Sequence, residues 1–216
     1  MATYESFIKI NGTVGDLVFY NLNGKNVVRK KSGFNKNAFN KSPSYEKVRQ
    51  NSSEFGHCSK IGKIFRQCLE PYIKDCSDPL LYQKFAKLMT EIKDLDATSE
   101  KGKRTVKQGI STEAGFQMLK SFQFGDIQPL GNAVSISAGL WDYSIVLDKS
   151  ISVHEIIMET ISVNFEEYQS EHFNEMISVE KPLAEYVFQK HFSDDELKFH
   201  FLILKNDDQI IKMGFV

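Results

Sequence analysis

Apolar residues alternate with polar ones at the two ends of this chain and recur every three or four residues in its middle. Leu17, Val18, Phe19 and Tyr20, then Val27 and Val28, favour a pleated, half-buried surface and flank Asn23-Gly24. Asn and Gly both tolerate the positive φ that a type I′ turn requires, so residues 12–34 read as a hairpin running out into a basic arm. A two-residue loop pairs Tyr20 with Val27 and Asp16 with Lys31. A four-residue loop, Asn21 to Gly24, pairs Val18 with Val27 and Asp16 with Arg29, and the pattern leaves both open. A lone hairpin is marginal in water, so this one must dock on something. Tyr4, Phe7, Ile8 and Ile10 alternate weakly and predict a further short strand.

The segment after Lys31, SGFNKNAFNKSPS, has no period and is rich in Asn, Lys and Ser. It predicts an extended arm, with Phe34 and Phe39 available to stack on bases, plug a partner's pockets or tuck onto the protein itself. From Ser44 the period becomes helical. Val48, Phe55, Cys58, Ile61, Phe65, Cys68, Leu69 and Tyr72 form one stripe, with Gly56 and Gly62 suggesting close packing and Pro71 ending the helix. A second helix starts at Asp78-Pro79 and buries Leu81, Phe85, Leu88, Met89, Ile92 and Leu95. The two would form an antiparallel helical hairpin. Residues 94–109 read as a loop or a short helix around Val106 and Ile110, and a last short helix spans 111–119.

Beyond Ser121 alternation returns. Segments around 122–127, 133–138, 140–147, 161–165, 184–188, 197–204 and 210–216 predict roughly seven short strands, the last two joined at Asn206–Asp208. The expected fold is α+β: a β-hairpin and basic arm over 1–43, a helical region over 44–120, and over 121–216 an acidic antiparallel β-sandwich, immunoglobulin-like in general layout.

Charge sharpens this division. Residues 1–66 hold 12 Lys or Arg against 4 Asp or Glu, residues 67–120 hold 9 against 8, and residues 121–216 hold 6 against 16. The net charge of −1 thus conceals a basic front and an acidic back. Within 216 residues no apolar run approaches the ~20 that a membrane span needs, and the N-terminus lacks the basic and apolar regions of a signal peptide. A cytoplasmic location is expected. The 3 cysteines, Cys58, Cys68 and Cys76, are an odd count without framework spacing and are expected to be reduced.

Catalytic signatures are absent. Gly12, Gly15 and Gly24 precede no helix at phosphate-loop spacing, and no GxSxG occurs. His57 and Cys58 are adjacent, about 100° apart on a helix, so they form no dyad. His154-Glu155-x-x-Met158 lacks the second histidine of a zinc motif. Glu166, Glu167, Glu171, His172 and Glu175 have metal-like letters, but in a β region they are expected to line a solvated loop or edge. No cofactor or metal is expected.

The basic arm is the candidate site: Lys25, Arg29, Lys30, Lys31, Phe34, Lys36, Phe39, Lys41, Lys47 and Arg49. The expected function is non-enzymatic interaction or structural support, docking through the hairpin and arm onto a protein partner or a neighbouring copy. Two alternatives stand beside it. The same arm would suit nucleic acid, and the Glu166–Glu175 cluster would suit a metal-dependent or enzymatic β domain.

Gly15-Asp16, Phe19-Tyr20, Gly24-Lys25, Val28-Arg29, Arg49-Gln50-Asn51, Glu54-Phe55-Gly56 and Gly62-Lys63 resemble a group of Bacteroidota proteins of no known activity. The resemblance covers roughly the first third of the chain, and the β half only in layout. It implies a two-part architecture and a bacterial or phage-like setting, and it assigns no functional residue.

Overall fold

A computed structural model describes residues 2–6, 8–31, 36–74, 76–193, 197–207 and 209–216. The chain forms two compact units, Met1–Arg49 and Gln50–Val216.

The first unit is built on a four-stranded antiparallel sheet. Its strands are β1 (Ala2–Thr3), β2 (Gly12–Val14), β3 (Leu17–Leu22) and β4 (Lys25–Lys30), in the order β1-β4-β3-β2. Leu22 pairs with Lys25, Tyr20 with Val27 and Val18 with Arg29, which is the two-residue loop. Asn23 at φ 50° and Gly24 at φ 80° supply the two left-handed residues of the turn. Lys31 N donates to Asp16 O at 2.6 Å, so the pairing reaches the end predicted for it. The short strand expected within residues 1–10 is β1, which pairs with β4 of the hairpin; Phe7 lies outside the described residues.

The arm is not wholly extended. Lys36–Lys41 forms a short helix, α1, where a periodless segment predicted none. Arg49 explains it: its Nη1 donates to the carbonyl oxygens of Phe39 and Ser42, satisfying acceptors at the end of that helix. Phe39 packs edge-on against Tyr45 at 5.9 Å. Among the described residues of this unit only Val27 is buried.

The second unit carries most of α2 (Glu46–Cys68), then α3 (Glu70–Ile73), α4 (Leu81–Asp94), α5 (Val106–Ile110) and α6 (Glu113–Lys120). It continues with strands β5 (Val134–Ala138), β6 (Asp142–Leu147), β7 (Glu155–Asn164), β8 (Gln169–Ser178), β9 (Tyr186–Gln189), β10 (Lys198–Asn206) and β11 (Gln209–Phe215). The strands form two antiparallel sheets, ordered β11-β10-β7-β8 and β5-β6-β9. Alternation assigns the two faces of the larger sheet. Ile157, Ile161, Phe199, Phe201, Ile203 and Phe215 share one core with the helices, while Ile156, Met158, Leu202 and Leu204 share another with Tyr143, Ile145 and Phe188 of the smaller sheet. Helices, larger sheet and smaller sheet therefore stack as three layers. Residues 50–120 and 121–216 share a core across the boundary drawn near residue 120.

Helices α2 and α4 run antiparallel. Phe65 meets Phe85 at 6.3 Å, and the Cys58 thiol meets the Met89 carbonyl at 3.5 Å. On α4, Leu81, Phe85, Leu88, Met89 and Ile92 are buried as the period predicts, with Leu95 partly so. On α2 the stripe is displaced. Phe55 is 60% exposed and Val48 is exposed, whereas Glu54 is buried in line with Cys58, Ile61, Phe65 and Cys68. A reading by apolar letters selects Phe55, one residue and 100° from the buried position. The predicted strand at 122–127 is a loop that drops Phe124 into the core. Asn206 pairs with Gln209 across the expected last turn, of which Asp208 lies outside the described residues.

Candidate functional site

The sequence-predicted residues of the first unit divide into three groups. Phe34 lies outside the described residues. Arg49 and Phe39 are occupied internally, by the carbonyl contacts and the Tyr45 ring described above. Lys25, Arg29, Lys30, Lys31, Lys36, Lys41 and Lys47 are all exposed, and among the described residues none of them makes an ion pair.

Strand geometry spreads these cations. Residues 25, 27 and 29 of β4 share one face of the sheet, and residues 26, 28 and 30 share the other. Arg29 thus lies on the face of Val18 and Tyr20, and Lys30 on that of Leu17, Phe19 and Val28. Exposed apolar residues accompany them, namely Ile8, Ile10, Val14, Leu17, Leu22 and Val48. The unit holds 9 Lys or Arg against 3 Asp or Glu, a net +6, and residues 50–216 hold 18 against 25, a net −7.

The second unit contains two buried polar centres that the sequence reading did not single out. The first surrounds Glu54, 3% exposed. Its carboxylate accepts from Lys93 Nζ at 2.7 Å, from Arg104 Nε and Nη2 at 3.0 and 2.8 Å, and from the Gly102 N–H at 2.6 Å. Asp94 accepts from Lys93 at 2.6 Å and lies 3.0 Å from Arg104 Nη1. The Arg104 fork, with Lys93 and Gly102, overrides burial and holds Glu54 down at about 2. Burial alone would raise the Asp96 carboxyl. Instead the N–H groups of Thr105 and Ser99 and the Thr98 hydroxyl hold it well below the ordinary range. His57 Nε2 accepts from the Val106 N–H at 3.0 Å, and Nδ1 lies 3.1 Å from the Tyr168 hydroxyl. An imidazole that accepts at Nε2 is neutral, and burial lowers its pKa accordingly. This centre clamps residues 96–106 onto α2 and α4, and all its donors and acceptors face one another, so its role is structural.

The second centre is Glu159 on β7, 2% exposed on the helical face of the sheet. One carboxylate oxygen bonds His172 Nδ1; the other accepts from the Tyr72 hydroxyl at 3.2 Å and from Asn174 Nδ2 at 2.9 Å. Burial, then the Glu159 charge, pushes the Tyr72 hydroxyl up to about 12. His172 is half exposed, so a buried carboxylate orients an imidazole toward solvent. Cys68 approaches β8, the strand of His172 and Asn174, where its thiol meets the Ser170 hydroxyl at 3.3 Å; burial pushes the thiol up, away from a reactive thiolate. Cys58, raised to about 11 by burial, is equally inert.

The acidic cluster comes apart. Glu166 and Glu167 sit in the β7–β8 turn, where their N–H groups donate to Asn164. Glu171 and Glu175 lie on one face of the edge strand β8, and His172 on the other. Among the described residues no group of three or more His, Cys, Asp or Glu could hold a metal ion. No helix among them is long and apolar enough to cross a membrane. Compared with protein-family models, curated proteins and solved structures, the chain matches none.

Proposed function

We propose that this is a cytosolic interaction or structural protein whose N-terminal unit docks onto the acidic second unit of a neighbouring copy. The observation that carries the reading is the set of seven exposed cations, Lys25 to Lys47, which make no ion pair among the described residues of a unit whose one buried described residue is Val27. A small sheet with so little core gains stability by covering its apolar residues, as Val14, Leu17 and Leu22 invite. The neighbouring copy is favoured as occupant because +6 on one unit complements −7 on the other. Nucleic acid is less well served, because the pleat sets Arg29 and Lys30 on opposite faces instead of lining one groove.

Light scattering of the intact protein during size exclusion tests this. Electrostatic docking predicts dimers or larger assemblies at about 50 mM salt and monomers near 500 mM, because the screening length falls several-fold with ionic strength. A monomer at every concentration and salt would contradict docking between copies.

A further inference from the structure

Arg66 differs from the two cations of the buried polar centre around Glu54. Lys93 and Arg104 are each held by Glu54 and Asp94. Arg66, partly buried on α2, makes no ion pair or hydrogen bond among the described residues, and its Nε–H is buried without a partner. Burial lowers its pKa, against a smaller opposing effect of Tyr82. A buried N–H left unsatisfied is destabilising, and an uncompensated charge more so. Its surroundings are shaped for the planar group. The guanidinium carbon stacks 4.5 Å from the centre of the Tyr82 ring, which is 62% exposed. Beneath it is Gly62, where a Cβ would stand only 3.2 Å from Nη1.

We propose that Arg66 and Tyr82 form an oxyanion-binding site. Nη1 and Nη2 of Arg66 receive the two oxygens of a carboxylate or phosphate, and the Tyr82 ring holds the fork in place. A guanidinium presents parallel N–H donors at the spacing of such a pair of oxygens, and stacking on an aromatic face removes the freedom it would otherwise lose on binding. The ligand supplies the missing counter-ion through Nη1 and Nη2, which are not among the buried unpartnered atoms, while the buried Nε–H keeps no partner among the described residues. The site lies within residues 50–216 and does not depend on the docking reading of the first unit.

The test uses the intact protein labelled at arginine Nε and followed by NMR. Inorganic phosphate and acetate are titrated separately, with chloride holding ionic strength constant. A saturable shift of the Arg66 Nε–Hε resonance is expected. Saturation by both marks a general oxyanion site, and saturation by one identifies the source. Tyr82→Ala should weaken binding roughly three- to tenfold. Arg66→Met, which identifies the resonance by removing it, should leave the melting temperature unchanged or raised, because it retires an unpaired charge. The proposal is overturned if neither anion gives a saturable shift or if chloride alone reproduces it. It is equally overturned if Arg66→Met lowers the melting temperature, which would make Arg66 a structural residue.

Discussion

Glu54→Gln is expected to lower the stability of the second unit by about 3 kcal/mol, a fall of very roughly 6–12 °C in melting temperature for a domain of this size. The substitution keeps the side-chain shape and removes the charge on which Lys93, Arg104 and the Gly102 N–H converge. Lys93 is only 4% exposed, so its ammonium would retain Asp94 alone in a place where water cannot replace the lost carboxylate. The same centre sets an acid limit. Glu54 ionises at about 2 in the fold against an ordinary value of 4.5. A depressed carboxyl contributes stability that is fully present above the unfolded pKa and is lost as pH falls through the folded one. The wild-type protein should therefore lose about 3 kcal/mol between pH ~4.5 and ~2, and the Glu54→Gln protein should lose correspondingly less over that window. Denaturant melts of both proteins at pH 7 and pH 3 would show this. Equal acid sensitivity would contradict the role given to Glu54.

Gly109→Ala should be comparably damaging for a steric reason. A Cβ at Gly109 would stand 1.9 Å from the Ile92 carbonyl oxygen and 2.7 Å from its carbon. Both are backbone atoms of α4, so the overlap is relieved only by moving α5 away from it, at a cost of about 3 kcal/mol or more. Gly56→Ala is the matched comparison. It lies inside α2, and a Cβ there meets nothing within 4 Å. Relieved of glycine's backbone entropy, the helix should gain about 0.5–1 kcal/mol. Thermal melts of the two variants should thus move in opposite directions.

Those positions also show what the residues reveal unaided. The hairpin (though not its loop length), the buried face of α4 and the alternation of β10 were legible because each depends on a local period or a turn residue. Glu54 was not, since a buried acid is recognised only by the Lys93 and Arg104 that meet it from 39 and 50 residues away. Glu159 was hidden for the same reason. On an alternating strand it shares a face with Ile157 and Ile161, and only Tyr72, His172 and Asn174 make that placement affordable. Gly56 and Gly62 looked alike in the helix, yet only Gly62 has close neighbours, in Arg66, Met89 and Phe85. The polar β8 looked like a solvated loop or edge, and it is the edge strand of the larger sheet because β7 supplies its pairing. At the candidate docking site the cations were visible as letters. Their division between faces, and the use of Arg49 to hold α1, needed the register and the contacts.

The most direct measurement of the docking account compares the intact protein with one variant in which Lys25, Arg29, Lys30 and Lys31 are all changed to Glu. None of the four is buried or ion-paired among the described residues, so the fold should survive, as circular dichroism would verify. Sedimentation velocity at about 50 mM salt, where charges are weakly screened, should then show assemblies for the natural protein and a monomer for the variant. Identical sedimentation of the two proteins would contradict docking through the N-terminal unit.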